Sequence, residues 1–198
     1  QGVDTIGTVM IGSGTLQIGT NDLNGEISAV SITNNGALVV NRSGTYNLSA
    51  AISGTGTLTK NGNGTLILSG ANSYSGTTTL SGGTLQIDGT STGTGALTTS
   101  AGTVLAGSGT VNGAVTVGGQ VNPGSAAVRG TFNANGGLTL NSGSTLTFDL
   151  NATDSNPAVN DSINVVGNLN VNNNKITINF DGSPSGGQYT LFTYSGSL

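Results

Sequence analysis

The stretch GTLILSGANSYSGTTTLSGGTLQIDG, residues 64–89, decides the fold. It contains two short units that begin with glycine, GTLIL at 64–68 and GTLQI at 83–87. In the first unit Leu66 and Leu68 occupy alternate positions, so both side chains point to one face of a β-strand. A strand this short cannot bury its apolar face alone. The alternation therefore predicts that successive units stack and share one aliphatic interior.

Similar units recur from position 14 to position 119. Five of them begin at positions 14, 36, 56, 83 and 102, which are spaced at nearly regular intervals. A period of roughly 20 residues, with glycine and asparagine at the corners, is typical of a solenoid. The sequence therefore predicts an all-β parallel β-helix (β-solenoid) of about nine coils. The other units are GTLQIG (14–19), GALVVN (36–41), GTLTKN (56–61), GTVLAG (102–107) and GAVTVGG (113–119).

The composition excludes several classes of function. Gly, Thr, Asn and Ser make up 111 of the 198 residues, charged residues make up 6%, and Cys, His and Trp are absent. The chain therefore has no disulfide framework, no Cys or His metal site and no His-activated nucleophile. Four basic residues are too few to neutralise a nucleic-acid backbone, and no apolar run reaches the roughly 18–20 residues that span a bilayer. We expect no nucleic-acid partner, no cofactor and no membrane insertion by this chain.

The sequence changes character near residue 130. Residues 1–130 contain the β-helix repeats, and we expect residues 131–198 to continue them as C-terminal coils that end in a cap. A solenoid end must cover its open core and its unpaired strand edges, and large aromatic side chains suit that task. Six of the eight aromatic residues lie in this second part: Phe132, Phe148, Phe180, Tyr189, Phe192 and Tyr194.

The stretch GTLTKNGNGTLILSGANSYSGTTTLSGGTLQIDG, residues 56–89, closely resembles the autotransporter-associated β-strand repeat. The resemblance extends in looser form over residues 43–198. It implies a right-handed β-helix that belongs to a passenger domain, secreted or displayed on a bacterial cell surface. Passengers of this kind act as adhesins, self-association factors, stalks or enzyme carriers, and the repeat carries no catalytic residue. Autotransporters continue into an outer-membrane barrel, which this sequence does not include, so we expect either a fragment or a relative that uses another export route.

An acidic and asparagine-rich stretch, 149–161, is the one candidate for metal binding. Asp149, Asp154 and Asp161 supply carboxylate oxygens of the kind that Ca²⁺ prefers. The alternative is a solvated loop. We favour the loop, because the stretch lacks the fixed ligand spacing of known calcium motifs.

Two further patterns have a functional and a structural interpretation. Tyr46 and Tyr74 could offer faces for sugar stacking, but a packing role suits amphipathic rings at repeat corners better. The pairs Thr57/Thr59 and Thr77/Thr79 lie one period apart and could begin an outward threonine array like those of ice-binding solenoids. We expect the array to stop there, because Leu97 occupies the next position at that spacing.

Three functions remain open on the sequence alone. The first is a non-enzymatic scaffold or adhesin, which associates with itself through polar lateral faces or binds a host or matrix surface, as in a biofilm. The second is the subunit of a head-to-tail filament joined by terminal strands. The third, a polysaccharide lyase or hydrolase, ranks last because acids are sparse along the coils. The predicted self-association residues are Val9, Ile11, Leu16, Ile18, Tyr189, Leu191, Phe192 and Tyr194.

Overall fold

The computed structural model describes residues 6–91, 93–125, 128–184 and 186–198. Strands dominate it, and a 3-10 helix at Pro157–Val159 is the single helical segment within those ranges. The predicted all-β class is confirmed. The strands are β1 (Ile6–Ile11), β2 (Thr15–Asp22), β3 (Ala29–Asn34), β4 (Ala37–Arg42), β5 (Tyr46–Leu48), β6 (Ala51–Ser53), β7 (Thr57–Asn61), β8 (Thr65–Leu68), β9 (Thr78–Leu80), β10 (Thr84–Ile87), β11 (Thr90–Ser91), β12 (Leu97–Thr99), β13 (Val104–Gly107), β14 (Thr110–Val111), β15 (Val115–Val117), β16 (Gln120–Pro123), β17 (Thr131–Ala134), β18 (Leu138–Leu140), β19 (Thr145–Leu150), β20 (Ser162–Val165), β21 (Leu169–Val171), β22 (Lys175–Phe180) and β23 (Phe192–Tyr194).

The strands form three faces, and strands of successive turns pair in parallel on each face. The third face is divided between β6 and β11, where a single parallel bridge joins Asn72 to Ser91. The side-chain oxygen of Asn72 accepts a hydrogen bond from the Ile52 amide at 3.0 Å and so connects the two parts. The strand orders are β2-β4-β7-β9-β12-β15-β18-β21 in the eight-stranded sheet, β22-β19-β16-β13-β10-β8-β5 in the seven-stranded sheet, and β1-β3-β6 followed by β11-β14-β17-β20-β23 on the divided face.

The number of turns is smaller than predicted. Within the described residues, six turns have a strand on each face: β3–β5, β6–β8, β11–β13, β14–β16, β17–β19 and β20–β22. The estimate of nine coils is therefore wrong. It assumed a constant coil length, but the corner between β19 and β20 expands into a loop at 151–161, and segments 23–28, 181–184 and 186–191 contain no strand.

The interior is a set of aliphatic columns that run along the solenoid. In the seven-stranded sheet Leu66 pairs with Leu85, and Leu85 with Leu105. These three side chains are fully buried. Because the strands are parallel and in register, each inward side chain stacks on an inward side chain of the next turn. The alternation in the sequence thus predicts the interior correctly.

Glycine at the corners allows the turns to approach closely. Gly62 has a φ of 67°, a conformation that favours glycine. Gly64 and Gly113 are needed for a different reason: a Cβ atom there would lie 2.2 Å and 1.9 Å from the carbonyl oxygens of Gly44 and Gly95 in the preceding turn. Tight stacking, as well as positive φ, therefore explains why glycine follows asparagine at these three corners.

The solenoid continues across residue 130. The strand β14 pairs with β17, β15 with β18 and β16 with β19. Aromatic side chains do concentrate beyond this point, and Phe132 and Phe148 are fully buried in the core. The division into 1–130 and 131–198 stays a prediction.

Candidate interaction surfaces

The four predicted N-terminal contact residues lie in the first turn. Val9 and Ile11 belong to β1, and Leu16 and Ile18 belong to β2. Ile11 and Ile18 are buried, while Val9 and Leu16 are partly buried against the same core. They therefore form the inner wall of the first turn. Among the described residues β1 pairs only with β3, and β2 only with β4, so one edge of each strand is open.

The four predicted C-terminal contact residues lie at the opposite end. Tyr189, Leu191 and Phe192 are partly buried against the core, and Tyr194 is exposed. The Tyr189 hydroxyl donates a hydrogen bond to the Asn151 carbonyl at 2.8 Å, and the Phe192 ring meets Phe148 edge to face at 5.4 Å. The structure thus places the two predicted groups at the two ends of one solenoid and does not bring them together within a single chain.

The sequence prediction missed the main feature of the C-terminal end. Ile176, Ile178 and Phe180 in β22 pair with the inward residues Leu146, Phe148 and Leu150 of β19, so they too face the interior column. They are nevertheless 44%, 45% and 38% exposed. Together with Val171 and Tyr194 they form what we call the open end. The alternating run KITINF (175–180) predicts a strand. Within the described residues no further turn covers this strand, and the sequence pattern alone could not predict that.

A column of threonines runs along the outside of the eight-stranded sheet. Thr59 pairs with Thr79, Thr79 with Thr98, Thr98 with Thr116, and Thr116 with Thr139. We call these five residues the threonine ladder. They alternate with inward aliphatic residues, and each is at least partly exposed. At about 4.8 Å per turn the ladder is about 19 Å long.

The expected end of this array at Leu97 is wrong. Leu97 pairs with Thr78, which faces the interior, so Thr98 is the residue that stacks on Thr79. The prediction assumed that the step from Thr59 to Thr79 repeats unchanged in the next turn. The corner of that next turn is shorter by a single position, which returns threonine to the outside.

A column of small residues lies beside the ladder. Ala96, Ala114 and Gly137 lie two positions before a ladder threonine, immediately ahead of β12, β15 and β18, and each is at least partly exposed. Their carbonyls accept hydrogen bonds from Thr78, Leu97 and Val115, one turn apart. The lack of side-chain bulk leaves a shallow groove of about 400 Å³, lined by Ala114, Val115, Thr116, Gly136, Gly137, Leu138, Thr139, Gly167, Asn168 and Asn170. We call this column the furrow.

The repeat encloses a buried ammonium group. Lys60 is 1% exposed, and its Nζ donates hydrogen bonds to the carbonyls of Asn61, Gly62 and Gly82. Burial lowers the pKa of Lys60 from 10.5 to about 8. Because these carbonyls belong to two successive turns, the lysine fastens a corner of the solenoid, which is a structural role.

The carboxylates of the three calcium candidates all accept hydrogen bonds from the chain itself. Both carboxylate oxygens of buried Asp161 accept backbone hydrogen bonds, from Gly130 at 2.8 Å and from Asp149 at 2.7 Å. Burial raises the pKa of Asp161 from 3.8 to about 6. The carboxylates of Asp149 and Asp154 accept hydrogen bonds from Asn179 and Asn156, respectively. Searched over the described part of the chain, no group of three or more acidic, His or Cys side chains could hold a metal ion.

The basic and aromatic residues serve the packing of the turns. Arg42 lies 3.3 Å from the carboxylate of Glu26 and 5.0 Å from the ring centre of Tyr46. Arg129 lies 2.9 Å from Asp181, a residue that is distant from it in the sequence. Both ion pairs join residues that the sequence separates widely. Tyr46 and Tyr74 are 5% exposed, so their rings offer no open face for a sugar.

Comparison with known proteins agrees with this architecture. Residues 58–87 match the family model of the passenger-associated transport repeat. The chain carries a passenger-type autotransporter repeat. The matched residues span β7–β10 with Lys60 near their start, and the β-solenoid around them fits a passenger-like repeat protein. No curated protein and no solved structure matches the chain.

Among the described residues, no helix has the length and the apolar character that crossing a membrane requires.

Proposed function

We propose that this chain is a non-enzymatic structural segment of a protein that is secreted or displayed on a bacterial surface, and that it associates with itself. The observation that carries the proposal is the passenger-type repeat built into a continuous, aliphatic solenoid. Such a rod positions whatever it carries and presents long polar faces without a catalytic group. The three acids of the stretch 149–161 already accept hydrogen bonds from backbone and amide groups.

Low charge supports the self-association. The formal net charge is −4 over 198 residues, so repulsion between copies is weak. Threonine and asparagine side chains both donate and accept hydrogen bonds, so like faces can bind one another. Binding to a host or matrix surface, the role of an adhesin, would use the same faces.

Sedimentation equilibrium of the full chain tests this proposal. Over concentrations up to about 1 mM, where even a weak contact becomes populated, the average mass should rise above the 19.3 kDa of one chain. A heat-unfolded sample of the same chain is the control for non-specific association. A mass that stays at 19.3 kDa throughout would refute self-association.

A second candidate, the subunit of a head-to-tail filament, is favoured by the two ends. The open end exposes core-facing side chains on β22, and the first turn offers free edges on β1 and β2 within the described residues. Two chains stacked end to end would continue the parallel sheets and cover both. Negative-stain electron microscopy should then show fibres with an axial repeat near one rod length. Deleting residues 1–11 should abolish them, and unchanged fibres after that deletion would refute the end contact.

A further inference from the structure

The outer side of the eight-stranded sheet has a ridge and a furrow side by side. The threonine ladder is the ridge, and Ala96, Ala114 and Gly137 form the furrow. Residues two positions apart are separated by at most about 7 Å, so the two columns are close neighbours. Over three turns, at Thr98, Thr116 and Thr139, each ridge residue has a furrow residue two positions before it, just ahead of the strand.

This surface carries no net charge. From β4 to β21 the outward positions described for this sheet hold no Asp, Glu, Lys or Arg; Lys60 lies on the sheet but points inward. The face therefore has nothing to attract a charged polymer such as a nucleic acid or an acidic glycan. Its described outward positions also lack aromatic side chains, the usual platform for a sugar ring. The partner that fits this face best is neutral and carries hydroxyl or amide groups at the spacing of the ladder threonines.

A second copy of this chain meets those requirements. Its ladder has the same period along the axis, so contacts made at one turn repeat at the next. The threonine hydroxyl donates and accepts, so a row of threonines complements the same row in a partner. Within the described part of the chain, the ladder residues other than Thr139 make no side-chain hydrogen bond, whereas Thr139 accepts one from Asn170 at 3.1 Å.

We propose that two copies pair through this face, with the ladder of each seated in the furrow of the other. This assignment rests on the self-association proposed above and names its surface. A two-fold axis parallel to the solenoid axis places each ridge opposite the partner's furrow at the same turn. The alternative two-fold axis, parallel to the strands, would set ridge against ridge. The paired solenoids are therefore parallel, which suits neighbouring copies displayed from one surface.

Each contact between two copies is small, so lasting association requires many copies on one surface. The part of the face where ridge and furrow lie side by side covers three turns, about 10 Å, and is two columns wide, so it falls well below the roughly 800 Å² per partner of a standard specific interface. One pair is consequently weak. Many copies held on one surface raise the effective concentration and make the association persistent.

Cysteine cross-linking tests the geometry, because the chain has no cysteine of its own. In the proposed pair Ala114 of one copy faces Thr116 of the other. A mixture of Ala114→Cys and Thr116→Cys chains, under mild oxidation, should form the mixed disulfide at least about 10-fold more than either chain forms its own dimer. The products are distinguished by intact mass. Thr84→Cys chains, which carry the cysteine on the outward side of β10 in the seven-stranded sheet, are the control. They measure how much disulfide forms through random collision of chains.

Thr116→Cys chains that cross-link with themselves as well as in the mixture would overturn the ridge-in-furrow arrangement. Cross-linking of Thr84→Cys at the same rate would overturn it as well. A second variant keeps the test independent of disulfide geometry: Ala114→Arg should weaken self-association at least about 10-fold, while Thr84→Arg should leave it unchanged. Circular dichroism checks that both variants remain folded.

The outcomes separate this inference from the proposed function. If the wild-type chain associates and Ala114→Arg associates equally well, the face is wrong and self-association stands. If the wild-type chain stays monomeric at every concentration, both fail. If Ala114→Arg and the mixed disulfide behave as expected, the eight-stranded sheet is the lateral interface.

Discussion

The middle of the solenoid and its C-terminal end carry the same alternating pattern and bury it to different extents. Leu146 in β19 is fully buried, whereas its register partner Ile176 in β22 is 44% exposed. The strand β19 has neighbours on both sides, β16 and β22, while β22 has one neighbour in the described structure. The difference teaches that in a solenoid an inward-facing residue is buried only when the next turn covers it. Stability should therefore be concentrated in the middle turns, and interaction at the ends and outer faces.

The largest expected effect comes from the spacing between turns. Gly113→Ala should destabilise the protein by about 3 kcal/mol or more, because the new Cβ would lie 1.9 Å from the Gly95 carbonyl oxygen. Gly12→Ala, near the first turn, meets no atom within 4 Å and should change stability by less than about 0.5 kcal/mol. Chemical denaturation measures both. Equal losses at the two positions would contradict the tight stacking of the middle turns.

Truncating one aliphatic column at two turns sharpens the comparison directly. Leu146→Ala should cost about 2–5 kcal/mol, the usual range for a buried leucine. Ile176→Ala, one turn further along, should cost less than about half as much because its side chain is only partly covered. The two midpoints in guanidinium chloride provide the measurement. A larger loss at Ile176 would show that a further layer covers the open end.

The repeat at 58–87 buries a lysine, Lys60, and the C-terminal half buries an aspartate, so the two regions should respond to pH in opposite ways. The pKa of Lys60 is about 8 in the folded chain and 10.5 when exposed, so between these values the unfolded state binds more protons. Stability should consequently rise with pH from 8 to 9.5. Urea denaturation across this window measures the slope. Lys60→Met should flatten it, and an unchanged slope in that variant would assign the effect to other groups.

The C-terminal half buries Asp161. The contribution of this aspartate to stability should depend on pH with the opposite sign to that of Lys60. The pKa of Asp161 is about 6 in the folded chain and 3.8 when exposed, so between these values the folded state binds more protons. Its contribution to stability is fully present below pH 3.8 and is lost as the pH rises through 6. Urea denaturation between pH 4 and 6 measures this trend, and Asp161→Asn should reduce it. A wild-type slope retained in the variant would contradict this account of the burial of Asp161.

The sequence predicts local features better than the register between turns. The inward positions of Leu66 and Leu85 follow from alternation alone, and the repeat at 58–87 is recognisable from its residues. Corner lengths are harder to predict, because one residue more or less shifts a strand by one position and exchanges its two faces. That is why the sequence predicts Leu97 on the threonine array, where Thr98 lies instead.

The candidate surfaces depend on contacts that the sequence does not encode locally. Glu26 reaches Arg42 only after the chain has wound through most of one turn, and Asp181 reaches Arg129 only after more than one turn. The exposure of Ile178 likewise depends on whether another turn follows it in space. The furrow needs both the register of the eight-stranded sheet and small residues at matching positions of successive turns.

Amide hydrogen exchange followed by mass spectrometry tests whether the solenoid is open at its C-terminal end. Peptides from β7 to β19 should be the slowest to exchange, because all their strands except β11 are paired on both sides, and peptides covering β21, β22 and β23 should be the fastest. The measurement is made at a concentration low enough to keep the chain monomeric. Protection that falls from the middle turns to the last one is the predicted result. Equal protection of β22 and β19 in the monomer would contradict the account of an open-ended solenoid.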